Sequence, residues 1–213
     1  MEGHEPVHEE EADVVGSDIT VVVTTFPERY DVLGRAVASA ANQTLPPEFI
    51  IVSVDGEREG AAATRTRGLS QVTTEWTAFL DDDDFLYPEH LEKLKVHADL
   101  TDADMVFPWF DVLGTGKDPF PMNEHKEWTL EDPHQTTITM LVRTEAARGV
   151  GGFLGDEEDI DGQEVDAEGN RAGEDFRFVL RLAKAGARIE KLHERTWVWV
   201  HHTSNTSGLP SNR

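Results

Sequence analysis

The chain has 213 residues, no cysteine, and 42 Asp and Glu against 19 Lys and Arg, a formal net charge of -23. One ample domain of the usual ~100–200 residues fits that length, disulfides and thiolate metal centres are excluded, and so negative a field repels anionic polymers, so no long nucleic acid is expected as a partner. The apolar runs, such as Ile19 to Val23, fall far short of the ~18 residues of a membrane-spanning helix, and the acidic start lacks the layout of a signal peptide, so no transmembrane segment and a cytoplasmic location are expected.

Residues 1–18 are Glu-rich and poor in large apolar side chains, the composition of a disordered acidic tail. Ile19 to Thr24 is β-branched and almost continuous, the pattern of a strand covered on both faces. Leu33, Val37, Ala40 and Ala41 then recur at helical spacing until Pro46-Pro47 stops the helix. Phe49 to Asp55 repeats the buried-strand signature, 61–69 reads as a helix, and 75–80 as a third strand running into Asp81-Asp82-Asp83-Asp84. Pro88 opens a helix to about Leu100, Asp104 to Phe110 reads as a strand, and Glu174 to Ala185 as a helix closed by Gly186. Residues 187–192 and 196–201 are expected to be two final strands. Strands alternating with helices predict an α/β fold around a mainly parallel sheet.

The aspartate run carries the chemistry. Four carboxylates at the end of a buried strand repel one another unless a cation or hydrogen-bond donors lie between them, and the carboxyl ends of parallel strands are where open α/β sheets bind ligands. Trp109 and Trp128 are candidate apolar platforms for a ligand's C–H face, with core burial the better reading for Trp109. Glu157, Asp159, Asp161, Gly162 and Glu168 have the oxygen spacing of a calcium loop but no flanking amphipathic helices, so a solvated loop is preferred.

Several segments in order resemble the GT-A-fold, family 2 nucleotide-sugar glycosyltransferases. Val22-Val23-Thr24-Thr25-Phe26 is similar to the family's first strand and nucleotide-binding turn, Ser39 with Gln43-Thr44-Leu45-Pro46 to its S-x-x-x-Q-T-x-P, and Ile50 to Gly56 to its second strand with a terminal aspartate. Thr64-Arg65-Thr66-Arg67-Gly68-Leu69 is similar to A-R-N-x-G-L, the aspartate run to D-x-D, and Gly151-Gly152-Phe153 and Gly173-Glu174-Asp175 to G-G-F and G-E-D. Thr66 departs from the usual Asn, and Asp55-Gly56 from a doubled aspartate.

The resemblance implies a single-domain GT-A α/β/α sandwich over 19–202: a nucleotide-binding half to about 100, an acceptor and catalytic half from 101 with an acidic insertion at 154–173, and a flexible segment at 203–213. It implies transfer of a sugar from a nucleotide-diphospho-sugar, UDP-linked, to a hydroxyl with inversion. The cofactor would be a divalent metal, Mn²⁺ or Mg²⁺, on Asp83 and Asp81, with His201 or His202 completing the shell. Thr24, Thr25, Phe26, Arg29, Asp55, Arg65, Asp81 and Asp82 would contact the nucleotide, Asp55 at the base and Arg65 at the diphosphate. Asp175, with Glu174 beside it, would be the catalytic base. The acceptor stays open among a glycan, a protein, a lipid and a modified nucleobase. Two other readings stand beside this one: a non-catalytic sugar- or calcium-binding module on the same fold, and a sugar nucleotidyltransferase. The second is disfavoured because Thr25-Phe26-Pro27-Glu28-Arg29 is no glycine-rich phosphate loop.

Overall fold

A computed structural model describes residues 17–114, 116–154 and 173–202. The predicted alternation is present. Strand β1 (Ser17–Thr25) leads through a 3-10 turn into helix α1 (Tyr30–Ala41), followed by β2 (Pro47–Val54), α2 (Ala61–Ser70), β3 (Trp76–Asp81), the short β4 (Phe85–Leu86), α3 (His90–Thr101) and β5 (Met105–Gly114). The second half adds β6 (Leu141–Arg143), α4 (Thr144–Gly149), α5 (Glu174–Lys184) and β7 (Ile189–His201). No described helix is long and apolar enough to cross a membrane.

One seven-stranded sheet runs in the order β2-β1-β3-β6-β5-β7-β4. Strands β2, β1, β3, β5 and β7 share one direction, while β6 and β4 oppose their neighbours, so the sheet is mixed but mainly parallel. Two expectations are corrected. The pair of final strands is a single strand, β7, whose pairing with β5 shifts register around Trp109. Its polar centre, His193-Glu194-Arg195, faces solvent and so broke the apolar pattern without breaking the strand. At the other end, β1 takes in Ser17 and Asp18, which composition alone assigns to the tail.

Both faces of the sheet are covered. Ile19, Val21, Val23, Leu80, Leu91 and Leu94 belong to one buried cluster, and Val22, Leu69, Phe79, Phe153 and Phe178 to the other. The Ser39 and Gln43 pair of α1 serves the fold: Leu86 N–H donates to Ser39 Oγ (3.1 Å), while Gln43 donates to Tyr87 O (2.9 Å) and accepts from Leu91 N–H (3.0 Å). These bonds hold the chain as it leaves the aspartate run for α3.

Helix α2 lies close over β1 and β2. A Cβ built on Gly68 would sit 2.4 Å from Val22 Cγ1 and 3.2 Å from Ser53 Cβ. Gly→Ala inside a helix ordinarily gains up to ~1 kcal/mol, but here overpacking against a buried strand opposes it, and Gly68→Ala is expected to lose about 1–2 kcal/mol, measured by urea denaturation. At the start of α3, His90 is fully buried with Nδ1 2.8 Å from Thr196 Oγ1. Burial lowers its pKa from 6.5 to about 3. The unfolded chain takes up this proton below 6.5 and the folded chain does not, so stability falls by about 1.4 kcal/mol per pH unit from this group as pH drops through that window. His90→Gln is expected to flatten the slope in denaturation series between about pH 6.5 and 4.5.

Candidate active site

The site forms where β1 and β3 end side by side. Their parallel register sets Thr24 opposite Asp81, and Thr24 Oγ1 donates to Asp81 Oδ1 at 3.0 Å. The next residue, Thr25, donates to Asp82 Oδ2 at 2.6 Å. Arg29, on the turn after β1, reaches both following carboxylates: its Nε is 3.0 Å from Asp82 Oδ1, and it pairs with Asp83 Oδ2. The same guanidinium stands 5.5 Å from the Phe26 ring centroid.

The four aspartates therefore have four sets of partners. Asp83 Oδ2 also meets His202 Nε2 at 2.8 Å. Asp84 is buried and accepts Val200 N–H at 2.8 Å, which clips the end of β7 to the acidic turn and brings His202 alongside Asp83. Burial raises the Asp82 carboxyl to about 6, against the Thr25 hydrogen bond and Arg29. Burial, with Asp83 and Asp81 nearby, raises Asp84 well above the ordinary range. His201 lies elsewhere: its ring packs against Gly116 and edge-on to Trp199, with centroids 5.2 Å apart.

Arg65, on α2, is 5% exposed and joins the two halves of the site. One amino group bonds both oxygens of Asp81, at 2.8 and 3.1 Å, and the other bonds Glu174 Oε1 at 2.6 Å. Burial works against its charge, but Asp81 and Glu174 outweigh it and raise the pKa further. Phe153 lies under the guanidinium, 5.6 Å to the ring centroid, and its N–H donates to Thr66 Oγ1 at 3.1 Å. The residue that departs from the family motif thus fastens the Gly151-Gly152-Phe153 segment.

Asp175 follows Glu174 in the first turn of α5 and is partly exposed. Its Oδ1 accepts Phe176 N–H, and its Oδ2 accepts Gln135 Nε2, each at 2.8 Å. Burial, followed by Glu174, pushes this carboxyl up, while Arg65 and the two hydrogen bonds pull it down. Asp55 stands apart from this network, accepting Glu59 and Gly60 N–H (2.8 and 2.9 Å), and those backbone bonds hold its carboxyl below the usual range. Trp109 and Trp128 are buried, at 1% and 8% exposure, so neither is an open stacking platform. The calcium-loop residues 157–168 and the segment 203–213 lie outside the described residues.

Among the described residues no three His, Cys, Asp or Glu side chains gather as a cation cage. The carboxylate–imidazole pair of Asp83 and His202 nevertheless suits an ion that completes its shell with phosphate oxygens, provided Arg29 yields its hold on Asp83.

The layered, mainly parallel α/β sheet is the GT-A arrangement, and solved structures share the fold. The crystal structure of S. aureus TarS 1–349 superposes with a TM-score of 0.64 at 19% identity, over 85% of this chain and 60% of that one. TarS 1–349 in complex with UDP gives 0.62 at 18% identity, over 86% and 60%. TarS 1–349 in complex with UDP-GlcNAc gives 0.64 at 18% identity, over 88% and 59%. In sequence, the glycosyl transferase family 2 model matches residues 50–155, the stretch that holds Arg65, the aspartate run and Gly151-Gly152-Phe153. Pre-mycofactocin glycosyltransferase of Mycobacterium tuberculosis is 31% identical over 144 residues, covering 62% of this chain and 28% of that protein. The chain thus spans little more than a quarter of the length of the curated relatives it matches.

Gln135 and Arg29 had no motif to mark them as partners of the carboxylates. The bridge from Arg65 to Glu174 yields an expectation. Removing one partner of a buried ion pair leaves uncompensated charge, so Arg65→Met should cost about 3 kcal/mol in urea denaturation. Arg65→Lys should recover only part of it, since an ammonium lacks the planar fork that reaches both carboxylates.

Proposed function

We propose that this chain transfers a sugar from a uridine diphosphate sugar to an acceptor hydroxyl, with inversion at the sugar carbon. The observation that carries the reading is the convergence of Thr24, Thr25, Asp81, Asp82 and Asp83 at one strand edge, tied through Arg65 to Glu174 and the adjacent Asp175. The likeness to TarS, crystallised with UDP and with UDP-GlcNAc, supports a uridine nucleotide.

In this reading Asp175 takes the proton of the acceptor hydroxyl as its oxygen bonds the sugar carbon. The bond from that carbon to the diphosphate breaks, and UDP leaves with the electron pair. A carboxyl raised by burial is a better base near neutral pH than an exposed one. Asp83 and His202 would hold a divalent ion, Mn²⁺ or Mg²⁺, which when bound supplies positive charge to the diphosphate. Thr24, Thr25 and Phe26 border the nucleotide, Asp55 meets the base, and Arg29, once off Asp83, faces the phosphates.

Calorimetric titration with UDP and GDP, each with Mn²⁺ and again with chelator, tests the donor site. UDP is expected to bind in preference to GDP, and chelator or Asp83→Ala to weaken it ~10-fold or more, about 1.4 kcal/mol or beyond. Binding of neither nucleotide under any condition would overturn the reading. Asp175→Asn is expected to keep UDP affinity and lose ~10²–10⁴-fold in transfer rate.

A further inference from the structure

Gln135 lies in the long connection between β5 and β6, which carries none of the family-like motifs. Its side-chain NH₂ uses both hydrogens, one on Asp175 Oδ2 at 2.8 Å and one on its neighbour Thr136 O at 3.3 Å. Flipping the amide would set its carbonyl against a carboxylate oxygen, so the bond fixes the orientation of Gln135 as well as that of Asp175.

The backbone around Gln135 is itself held. Trp128 Nε1 donates to His134 O at 3.0 Å, and Thr137 Oγ1 donates to Pro108 O at 3.1 Å, two residues beyond Gln135 and onto β5. Further back along the connection, the buried Lys191 of β7 donates to Lys126 O at 3.0 Å and also to Asn123 O, with its ammonium 4.9 Å from the Trp109 ring centroid. Arg195 forks onto Glu124 at 2.7 and 2.8 Å. A glutamine anchored on both sides of its backbone presents its amide with little freedom, as positioning a reactive group requires.

We propose that Gln135 is a positioning residue for Asp175, holding the carboxylate ionised and fixing which lone pairs face the acceptor hydroxyl; this rests on the reading of Asp175 as the base. A carboxylate offers about four acceptor sites. Phe176 N–H occupies one on Oδ1 and Gln135 one on Oδ2, which leaves a defined remainder for the acceptor. Among the described residues, the charged groups facing Asp175 are Glu174 from its own helix, which disfavours its ionisation, and Arg65 from α2, which favours it. Gln135 adds a neutral donor on the same side of the balance as Arg65 without adding net charge.

The test uses the full chain. The Asp175 carboxyl is titrated by carbon NMR, its signal assigned by its absence in Asp175→Asn, and compared in Gln135→Leu and the isosteric Gln135→Glu. Losing the donor is expected to move the midpoint up by about one pH unit, and Gln135→Glu, which adds a like charge, to move it further. The acid limb of the rate profile for sugar transfer from UDP-GlcNAc should follow the midpoint, while the neutral-pH plateau falls ~10-fold through lost orientation of the carboxylate and UDP affinity stays unchanged. A midpoint unmoved in both variants would overturn the proposal while leaving Asp175 as base. Full transfer by Asp175→Asn would overturn both.

Discussion

The guanidinium of Arg65 lies between two carboxylates that come from different parts of the chain, Asp81 at the end of β3 and Glu174 at the start of α5. In a chain of net charge -23, two acids approaching from separate elements repel unless a cation stands between them, and the repulsion grows as water is excluded. Geometry three residues along the same helix makes the cation available. Gly68 lets α2 settle directly on Val22, and Arg65 lies on the same face one turn earlier, which carries its side chain to the strand end. Close helix packing, a buried cation and the placement of the α5 terminus are one connected arrangement. Phe153, stacked on Phe178 with centroids 4.2 Å apart, closes the apolar side of it.

The aspartate run shows how a dense cluster of like charge is accommodated by dividing its members among different partners. Asp81 is neutralised by Arg65, and Asp82 shares Arg29 with Asp83. Asp84 turns inward to a backbone N–H and serves the fold. Asp83 adds the imidazole of His202 to its share of Arg29, so two side chains from separate elements meet on one of its oxygens. The division follows from the turn after β3: side chains leaving a turn diverge, so consecutive residues meet β1, the turn after it and β7 in succession.

Much of this was legible in the sequence, because strands buried on both faces and helices with one apolar face have distinct periods. Strand β6 was not: three residues, Leu141 to Arg143, are too few to show a period, and they lie antiparallel in the middle of the sheet where alternation of strand and helix predicts no such neighbour. Asp81 to Asp83 and Asp175 stood out by charge and motif order, yet their partners did not. Arg65 reads from its motif as a phosphate ligand, whereas here it is engaged by two carboxylates of its own chain, a pairing across 109 residues that no local pattern encodes. That His202 and not His201 lies beside Asp83 follows from where β7 ends relative to Asp84, a long-range contact.

Strand β6 also has a mechanical consequence. It is hydrogen-bonded to β3 on one side and to β5 on the other, so the half that carries the aspartate run and the half that carries α5 share one continuous sheet. Two lobes joined by a hinge can open and close as rigid bodies; two halves sewn through a common strand cannot, because rotation would shear backbone bonds in the sheet interior. Within the described residues, movement around the site is thereby left to side chains, which rearrange in picoseconds to nanoseconds, and to connecting segments, which take nanoseconds to microseconds.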